Sequence, residues 1–391
     1  MKYIFLSALI LGLLLEPVSF AQAQPITIGA AVSLSGRFAR EGQYQMEGYR
    51  LWEMDVNARG GLLGRPVKMI IYDDESEPAT AVKLYEKLIT GDKVDLVFGP
   101  YSSPIASAVA PVMEKYGYPS LLPGTAAADI YKRGFKNVFQ IYTPAEFYFY
   151  GSVDIALKRG VKRVAVLAEA TLFAKEAADG AVKRLKEKGI EVVFREDYPR
   201  GATDLSPLLS KIKAIRPPVD AIFGGAYLPD AVLITRQIKG LDINVKMLSF
   251  MVGAALPEFY KTLSRDAEFI LGPTQWEASL RTPGNKEFVE RYIKAFNRPP
   301  EYHSAGGYAA GQVLEATVKR VGSLDKDKLR DMLRRIELET IFGKYKVDET
   351  GLQVSHEMAT IQWQDGKKEV VHPEAYSTAK ERFPMPTWKE R

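Results

Sequence analysis

The sequence predicts an α/β chain built as two doubly wound lobes, and three observations carry that expectation. Short apolar runs that suit buried strands alternate with segments of helical apolar spacing. The alternation completes one series and restarts near residue 163. The chain has 391 residues, which at roughly 100–200 residues per domain is room for about two.

Each element has its own reason. Ile26 to Leu34 is an apolar run that reads as a buried strand, followed by an amphipathic helix over about residues 42–56. Val67 to Tyr72 is the next strand, residues 79–88 a helix, and Asp95 to Phe98 a third strand. A helix over residues 104–115 then leads to a strand from Tyr118 to Leu122. Strands in such βαβ units pair in parallel and are covered on both faces, so they read as near-continuous apolar runs. The second series opens with the strand Arg163 to Ala168, and the helix Phe173 to Lys188 closes on Gly189, a natural C-cap. Glu191 to Phe194 is a strand, and the helix Leu205 to Ile215 stops before Pro217-Pro218. Ala221 to Phe223, the helix Asp230 to Lys239 ended by Gly240, and Val245 to Phe250 complete the series. Three more helices follow from about Asn285, then a strand-rich tail from Phe342 to Val371. The series meet near Phe139 to Thr143, where a strand leads into Pro144 without a low-complexity linker.

Composition excludes several function classes. There are 53 Lys and Arg against 48 Asp and Glu, a net charge of +5 with no basic block, whereas a nucleic-acid binder concentrates cations on one face. Cysteine is absent, which removes disulfides, thiolate metal sites and cysteine nucleophiles. The three histidines, His303, His356 and His372, share no ligand-like spacing. No G-x-S-x-G, P-loop or G-x-G-x-x-G occurs. Neither cofactor nor metal is expected, and an enzyme is the weaker hypothesis. The acidic run Asp73-Asp-Glu-Ser-Glu77 reads as a solvated loop capping the next helix.

The first residues have the pattern of an export signal. Met1-Lys2 is basic, Ile4 to Leu15 is apolar, and Ala21-Gln-Ala23 offers an A-x-A cleavage site. The apolar run is shorter than the ~20 residues a bilayer requires. Cleavage after Ala23 would release a soluble protein into a periplasm.

In open α/β sheets ligands bind beyond the carboxyl ends of the strands, where helix N-termini present free N–H groups. Phe98-Gly-Pro-Tyr-Ser-Ser-Pro104 is such a place. Ser103 is a good N-cap before Pro104, and the amides beyond it, with the hydroxyls of Ser102 and Ser103, suit a carboxylate or carbonyl oxygen. Leu121 to Ala128, opened by Gly124, and Ser33 to Phe38 share that logic, the latter with Arg37 and Arg40 as cations.

These pieces, in order, resemble a known family. Ser35-Gly36, Asn57-Ala-Arg-Gly-Gly-Leu-Leu-Gly-Arg-Pro66 and Tyr72-Asp-Asp-Glu-Ser-Glu-Pro78 are followed by Gly99-Pro-Tyr-Ser-Ser103 and Arg163-Val-Ala-Val166. Gly224-Gly-Ala-Tyr-Leu-Pro229 and Asn297-Arg-Pro-Pro300 complete the set. Together they are similar to periplasmic solute-binding proteins of ABC importers, of the Leu/Ile/Val-binding class. The resemblance implies the type I periplasmic binding protein fold, two Rossmann-like doubly wound lobes joined by three crossovers. One lobe would comprise residues 24–141 and 276–346, the other 142–275 and 347–391. It further implies a monomer that closes on a small-molecule ligand, delivers it to an ABC permease/ATPase complex in the inner membrane, and carries no catalytic machinery.

Residue by residue, Ser103 matches the serine whose hydroxyl and amide bind the ligand carboxylate. Gly124, Thr125 and Ala126 match the second first-lobe contact segment, although the family commonly has a threonine one position later. Phe173 lies where many relatives place a tyrosine over the ligand, and Tyr227 matches the second-lobe aromatic after Gly-Gly. The departure is Phe250, near the position where amino-acid binders of this class often have an acid for the ligand ammonium. Burying an ammonium without a counter-charge is costly, so Glu41 or Glu169 would have to substitute. Otherwise the pocket suits an aromatic or aliphatic acid, or an amide, without an α-amino group. Tyr101, Phe173, Tyr227 and Phe250 would form aromatic walls, and part of Phe147-Tyr-Phe-Tyr150 would face the cleft. A sensor that docks on a membrane receptor would have the same sequence features.

Overall fold

The computed structural model describes residues 24–225 and 227–391. The expected signal segment, residues 1–23, lies outside them. Two parallel α/β sheets organise the chain. The first contains β1 (Ile26–Val32), β2 (Val67–Asp73), β3 (Leu96–Phe98), β4 (Ser120–Leu122) and β5 (Val138–Gln140), in the order β2-β1-β3-β4-β5. β1 and β2 run in register from Ile26 opposite Val67 to Val32 opposite Asp73.

The second sheet contains β6 (Arg163–Glu169), β7 (Glu191–Tyr198), β8 (Ala221–Gly224), β9 (Met247–Phe250) and β10 (Leu271–Thr274). After a small hairpin, β11 (Leu338–Thr340) with β12 (Gly343–Tyr345), the chain adds β13 (Ala359–Gln364) and β14 (Lys367–His372) to it as antiparallel strands. The order is β14-β13-β10-β9-β8-β6-β7. β10 escaped the sequence reading because Gly272 and Pro273 interrupt its short run, and proline weakens any strand signal.

The chain passes between the sheets three times. After β10 it returns to the first lobe, where the helix Tyr302–Val321 lies against the helix Ala39–Ala58. This approach requires glycine: a β-carbon on Gly311 would fall 2.1 Å from Trp52 Cγ, and one on Gly48 would fall 2.1 Å from the Ser304 carbonyl. Trp52 Nε1 and Arg59 both donate to Glu315, at 3.2 and 2.7 Å. One residue from each crossover meets at the hinge. Thr143 N donates to Gln275 Oε1 at 3.0 Å, and Thr143 Oγ1 lies 2.7 Å from His356 Nδ1. The tail packs along the second lobe, with Arg159 on Glu381 at 3.0 Å and Trp388 Nε1 on the Ile243 carbonyl at 2.8 Å.

Strand order reverses beside β1 and β3 in the first sheet and beside β6 and β8 in the second. The crevices at such switch points are where open α/β sheets hold ligands, and both carry side chains into the interlobe cleft.

Two local readings are corrected. The helix after β3 begins at Ser103, so Ser102 and not Ser103 is the N-cap, and it makes no side-chain cap bond. The acidic run reaches the following helix only through Glu77, which takes its N-cap position without a side-chain cap bond. Asp73 accepts from the Leu34 and Ser35 amides at 2.9 and 3.1 Å, and Asp74 accepts from Ser33 Oγ at 2.6 Å, which fixes the loop after β1.

Candidate functional site

The cleft is closed. Tyr101, Ser103, Gly124, Ala126, Tyr142, Tyr148, Phe173, Tyr227, Val252, Tyr302 and His303 line a space of about 10 Å³, on the scale of one water molecule. A solute of even a few heavy atoms therefore enters only when the lobes part.

Phe38, after β1, stands between the lobes, 5.7 Å from the Tyr101 ring and 4.6 Å from that of Tyr227. Phe173, at the start of the helix after β6, lies 5.9 Å from Tyr227 and 5.0 Å from Tyr148. Tyr101 also meets His303 edge-on at 5.0 Å. The box thus takes Phe38 and Tyr101 from the first lobe and Phe173 and Tyr227 from the second. Within the 147–150 cluster only Tyr148 lines the space. Phe147 is partly exposed, Phe149 stacks on Phe223 at 5.4 Å, and Tyr150 pairs with Arg184.

Polar groups gather on the first-lobe wall. Ser103 Oγ accepts from the Ala126 and Ala127 amides, both at 3.1 Å, and so ties the segment after β4 to the start of its helix. In this closed state the Ala126 amide is therefore occupied by Ser103. Ser102 has φ +76° and ψ 145°, a conformation disfavoured for any residue with a β-carbon. Its buried Oγ has no hydrogen-bond partner, nor has Thr125 Oγ1. Thr125 lies just behind the wall, where its carbonyl accepts from Gln140 Nε2 at 3.3 Å. Gly124 has φ +93°, and a β-carbon there would fall 2.4 Å from Gln45 Oε1 and 2.8 Å from Tyr101 Cδ2.

The two expected acids have different fates. Glu169 is committed: Arg37 Nη2 donates to it at 2.6 Å and to Asp230 at 2.7 Å. Burial and the charge of Asp230 push the Glu169 carboxyl up to about 7, against the opposing pull of Arg37. It is therefore no free partner for an ammonium. Glu41 sits in the first turn of its helix, fully buried, and Oε1 receives no hydrogen bond. Burial pushes its carboxyl up to about 7, with His303 opposing and Glu301 adding to the rise.

Phe250 does not reach the space. It is the last residue of β9 and packs in the second-lobe core, 6.4 Å from Phe259. Val252, two residues on, takes the wall position in its place. Tyr142, on the first crossover, and Tyr302 and His303, at the start of the first-lobe helix Tyr302–Val321, line the space without carrying a motif that would announce it. Glu301 caps their helix, accepting from the His303 and Ser304 amides at 2.8 and 3.3 Å, while its other oxygen lies 2.8 Å from His303 Nδ1. Among the described residues no group of three or more His, Cys, Asp or Glu is arranged to hold a metal ion.

Comparison with known proteins places this geometry. A family model described as periplasmic binding protein matches residues 25–368. The Leu/Ile/Val-binding protein BraC3 of Rhizobium johnstonii is 29% identical over 92% of this chain and 97% of its own. The branched-chain amino acid transporter substrate-binding protein LivJ of Streptococcus pneumoniae, solved in complex with isoleucine, superposes with TM-score 0.81 at 25% identity, covering 90% of this chain and 100% of its own. A solute-binding protein of an R. palustris ABC transporter, solved with benzoate, shares the fold with TM-score 0.78 at 23% identity over 91% of this chain and 98% of its own. With an aromatic cleft between two doubly wound lobes and a family match over most of its length, this chain belongs to the periplasmic binding protein family.

Proposed function

We propose that this chain is the extracytoplasmic solute-binding component of an ABC importer. It takes a small, largely apolar organic solute, a hydrophobic amino acid or related carboxylate, into the interlobe cleft. One observation carries the reading: a helix beginning at Ser103 and an aromatic box drawn from both lobes face the same enclosed space. The helix start and the Ser102 and Ser103 hydroxyls suit a carboxylate, and Tyr101, Tyr148, Phe173 and Tyr227 suit an apolar body. Gly124 lets the backbone of the 124–126 segment approach the solute. The likeness to Leu/Ile/Val-binding relatives supports the same class.

Binding is by population shift. The open form admits the solute against the Ser103 wall, and the second lobe then closes Phe173 and Tyr227 over it. The closed pair of lobes would present itself to a permease and its ATPase as a monomer. Export would depend on residues 1–23, with cleavage after Ala23. A thermal-shift screen of the mature protein with leucine, phenylalanine, benzoates, phenylpropanoids and short amides tests the reading. A raised midpoint with at least one of them is expected, and no response to any solute would refute it. N-terminal sequencing of periplasmic material tests the cleavage site and should begin at Gln24.

A further inference from the structure

The segment that follows β4 carries consecutive amides held from two sides. Ala126 N and Ala127 N donate to Ser103 Oγ, both at 3.1 Å, within the first lobe. Ala128 N and Asp129 N donate to the two carboxylate oxygens of Glu176, at 2.7 and 3.0 Å. Glu176 belongs to the helix Leu172–Glu187 that follows β6, so it reaches the segment from the second lobe. On the carbonyl side, Ala126 O accepts from Gln140 Nε2 at 3.1 Å and from Ala145 N at 2.8 Å. Gln140 ends β5 in the first lobe and Ala145 lies just past the first crossover. Rotation of the lobes about the crossovers therefore carries Glu176 off the segment and leaves the Ser103 and Gln140 ties in place.

The helix that bears Glu176 faces the first lobe along its N-terminal half. Leu172 packs against the first-lobe cluster that contains Ala106, Ala127 and Ile130. Phe173 lines the space in the cleft, and Glu176, three residues on, shares its face of the helix. Gly180, four further on, continues that face, and a β-carbon there would fall 2.1 Å from the Glu146 carbonyl beside the first crossover. A helix moves as one body, so bringing Phe173 over the space also brings Glu176 onto the Ala128 and Asp129 amides. Hydrogen bonds to an ionised carboxylate are among the stronger ones, and these two are exchanged for water whenever the cleft opens.

We propose that Glu176 is a positioning residue that latches the closed state through the segment forming part of the first-lobe wall. The inference rests on the reading of the cleft as a solute site and deepens it, by naming what couples solute contact to closure. Gly124 and Ala126 line the space, and the amides captured by Glu176 begin two residues further along. A solute seated against Gly124 and Ala126 thus orders the donors that Glu176 takes up on closure. Glu176 does not line the space itself, so it governs how long a solute is held and not which solute is chosen.

Stopped-flow binding kinetics on the mature protein test the latch, with leucine, phenylalanine and benzoate as probes. Glu176→Ala should raise the dissociation rate of each probe that binds by about tenfold, since both hydrogen bonds exist only after closure. The association rate should change by less than about twofold, because the solute enters the open form. Glu176→Gln keeps the shape of the side chain and one acceptor oxygen, so its dissociation rate should fall between. An unchanged dissociation rate in both variants, or a loss confined to the association rate, would overturn the latch. The chain has no cysteine, so spin labels on Lys83→Cys and Arg236→Cys, exposed positions on the two lobes, read the lobe separation directly. Without solute, Glu176→Ala should shift the distances between the labels to longer values. Identical distance distributions with and without Glu176→Ala would also overturn the latch. Binding of none of the three probes would overturn the solute reading alone, and the label distances would then decide the latch.

Discussion

Arg37 reaches across the cleft and places its Nη2 2.6 Å from Glu169 Oε1, and the same nitrogen serves Asp230 at 2.7 Å. Arg37 follows β1 in the first lobe, whereas Glu169 ends β6 and Asp230 opens the helix after β8 in the second. Both carboxylates are buried. One guanidinium therefore holds two acids that would otherwise repel each other inside the closed interface.

Removing that cation should open the molecule. Breaking one side of a buried ion pair costs about 3–5 kcal/mol because the remaining charge is stranded. In Arg37→Met both carboxylates lose their shared cation, and separating the lobes hydrates both. Small-angle scattering without added solute should give a larger radius of gyration for Arg37→Met than for the unaltered protein. Superimposable curves would show that the lobes are held by other contacts. Arg37→Lys should fall between, since an ammonium keeps the charge but not the planar fork.

Ser103→Ala removes an acceptor shared by two amides. Ala126 N and Ala127 N both donate to Ser103 Oγ at 3.1 Å, and both are buried. Each unpaired buried group costs about 1–3 kcal/mol, so the 124–128 segment should loosen. Solute affinity should fall by about 1–3 kcal/mol, or roughly 5- to 150-fold. Calorimetry with a solute found in the thermal-shift screen measures it, and unchanged affinity would remove Ser103 from the site.

The elements that position these residues were legible because parallel strands buried on both faces are apolar without interruption. Leu96 to Phe98 and Ala221 to Gly224 are wholly buried, and their ends locate Tyr101, Ser103 and Tyr227. Relationships between distant segments were not legible. Arg37 and Glu169 lie 132 positions apart, and no local pattern ties them. Phe250 was misplaced by two residues, because the strand end turns it into the core and only the next turn, at Val252, faces the cleft. Tyr302 and His303 reach the site from the start of the first-lobe helix Tyr302–Val321, a placement the local sequence around them does not announce.

Glu41 should destabilise the protein at neutral and higher pH. Its carboxyl is pushed up to about 7 in the folded protein from a usual value of 4.5. The folded state therefore holds the proton longer than the unfolded chain, and stability falls as pH rises from about 4.5 to 7. Glutamine cannot ionise, so Glu41→Gln should melt higher than the unaltered protein at pH 8, by an amount on the order of 3 kcal/mol. The difference should vanish near pH 4.5. Scanning calorimetry at both values checks it, and a constant offset would mean that Glu41 is not desolvated in the fold.

His356 should give the opposite slope. It stands at the hinge with Nε2 3.0 Å from the Phe342 carbonyl and Nδ1 2.7 Å from Thr143 Oγ1. Burial pushes its imidazole down from 6.5 to about 4, so the ring is neutral in the folded protein at pH 7. Below pH 6.5 the unfolded chain takes up the proton first, and stability is lost until about pH 4, where the folded form takes it too. The full loss is on the order of 3 kcal/mol. His356→Gln lacks this titration, so its melting temperature should approach that of the unaltered protein as pH falls from 7 to 4. The Glu41 and His356 effects overlap in pH and oppose each other in the unaltered chain. A flat profile there is thus compatible with both, and each single variant exposes the slope of the other. Parallel profiles for His356→Gln and the unaltered protein would place the loss of stability at low pH elsewhere than the hinge.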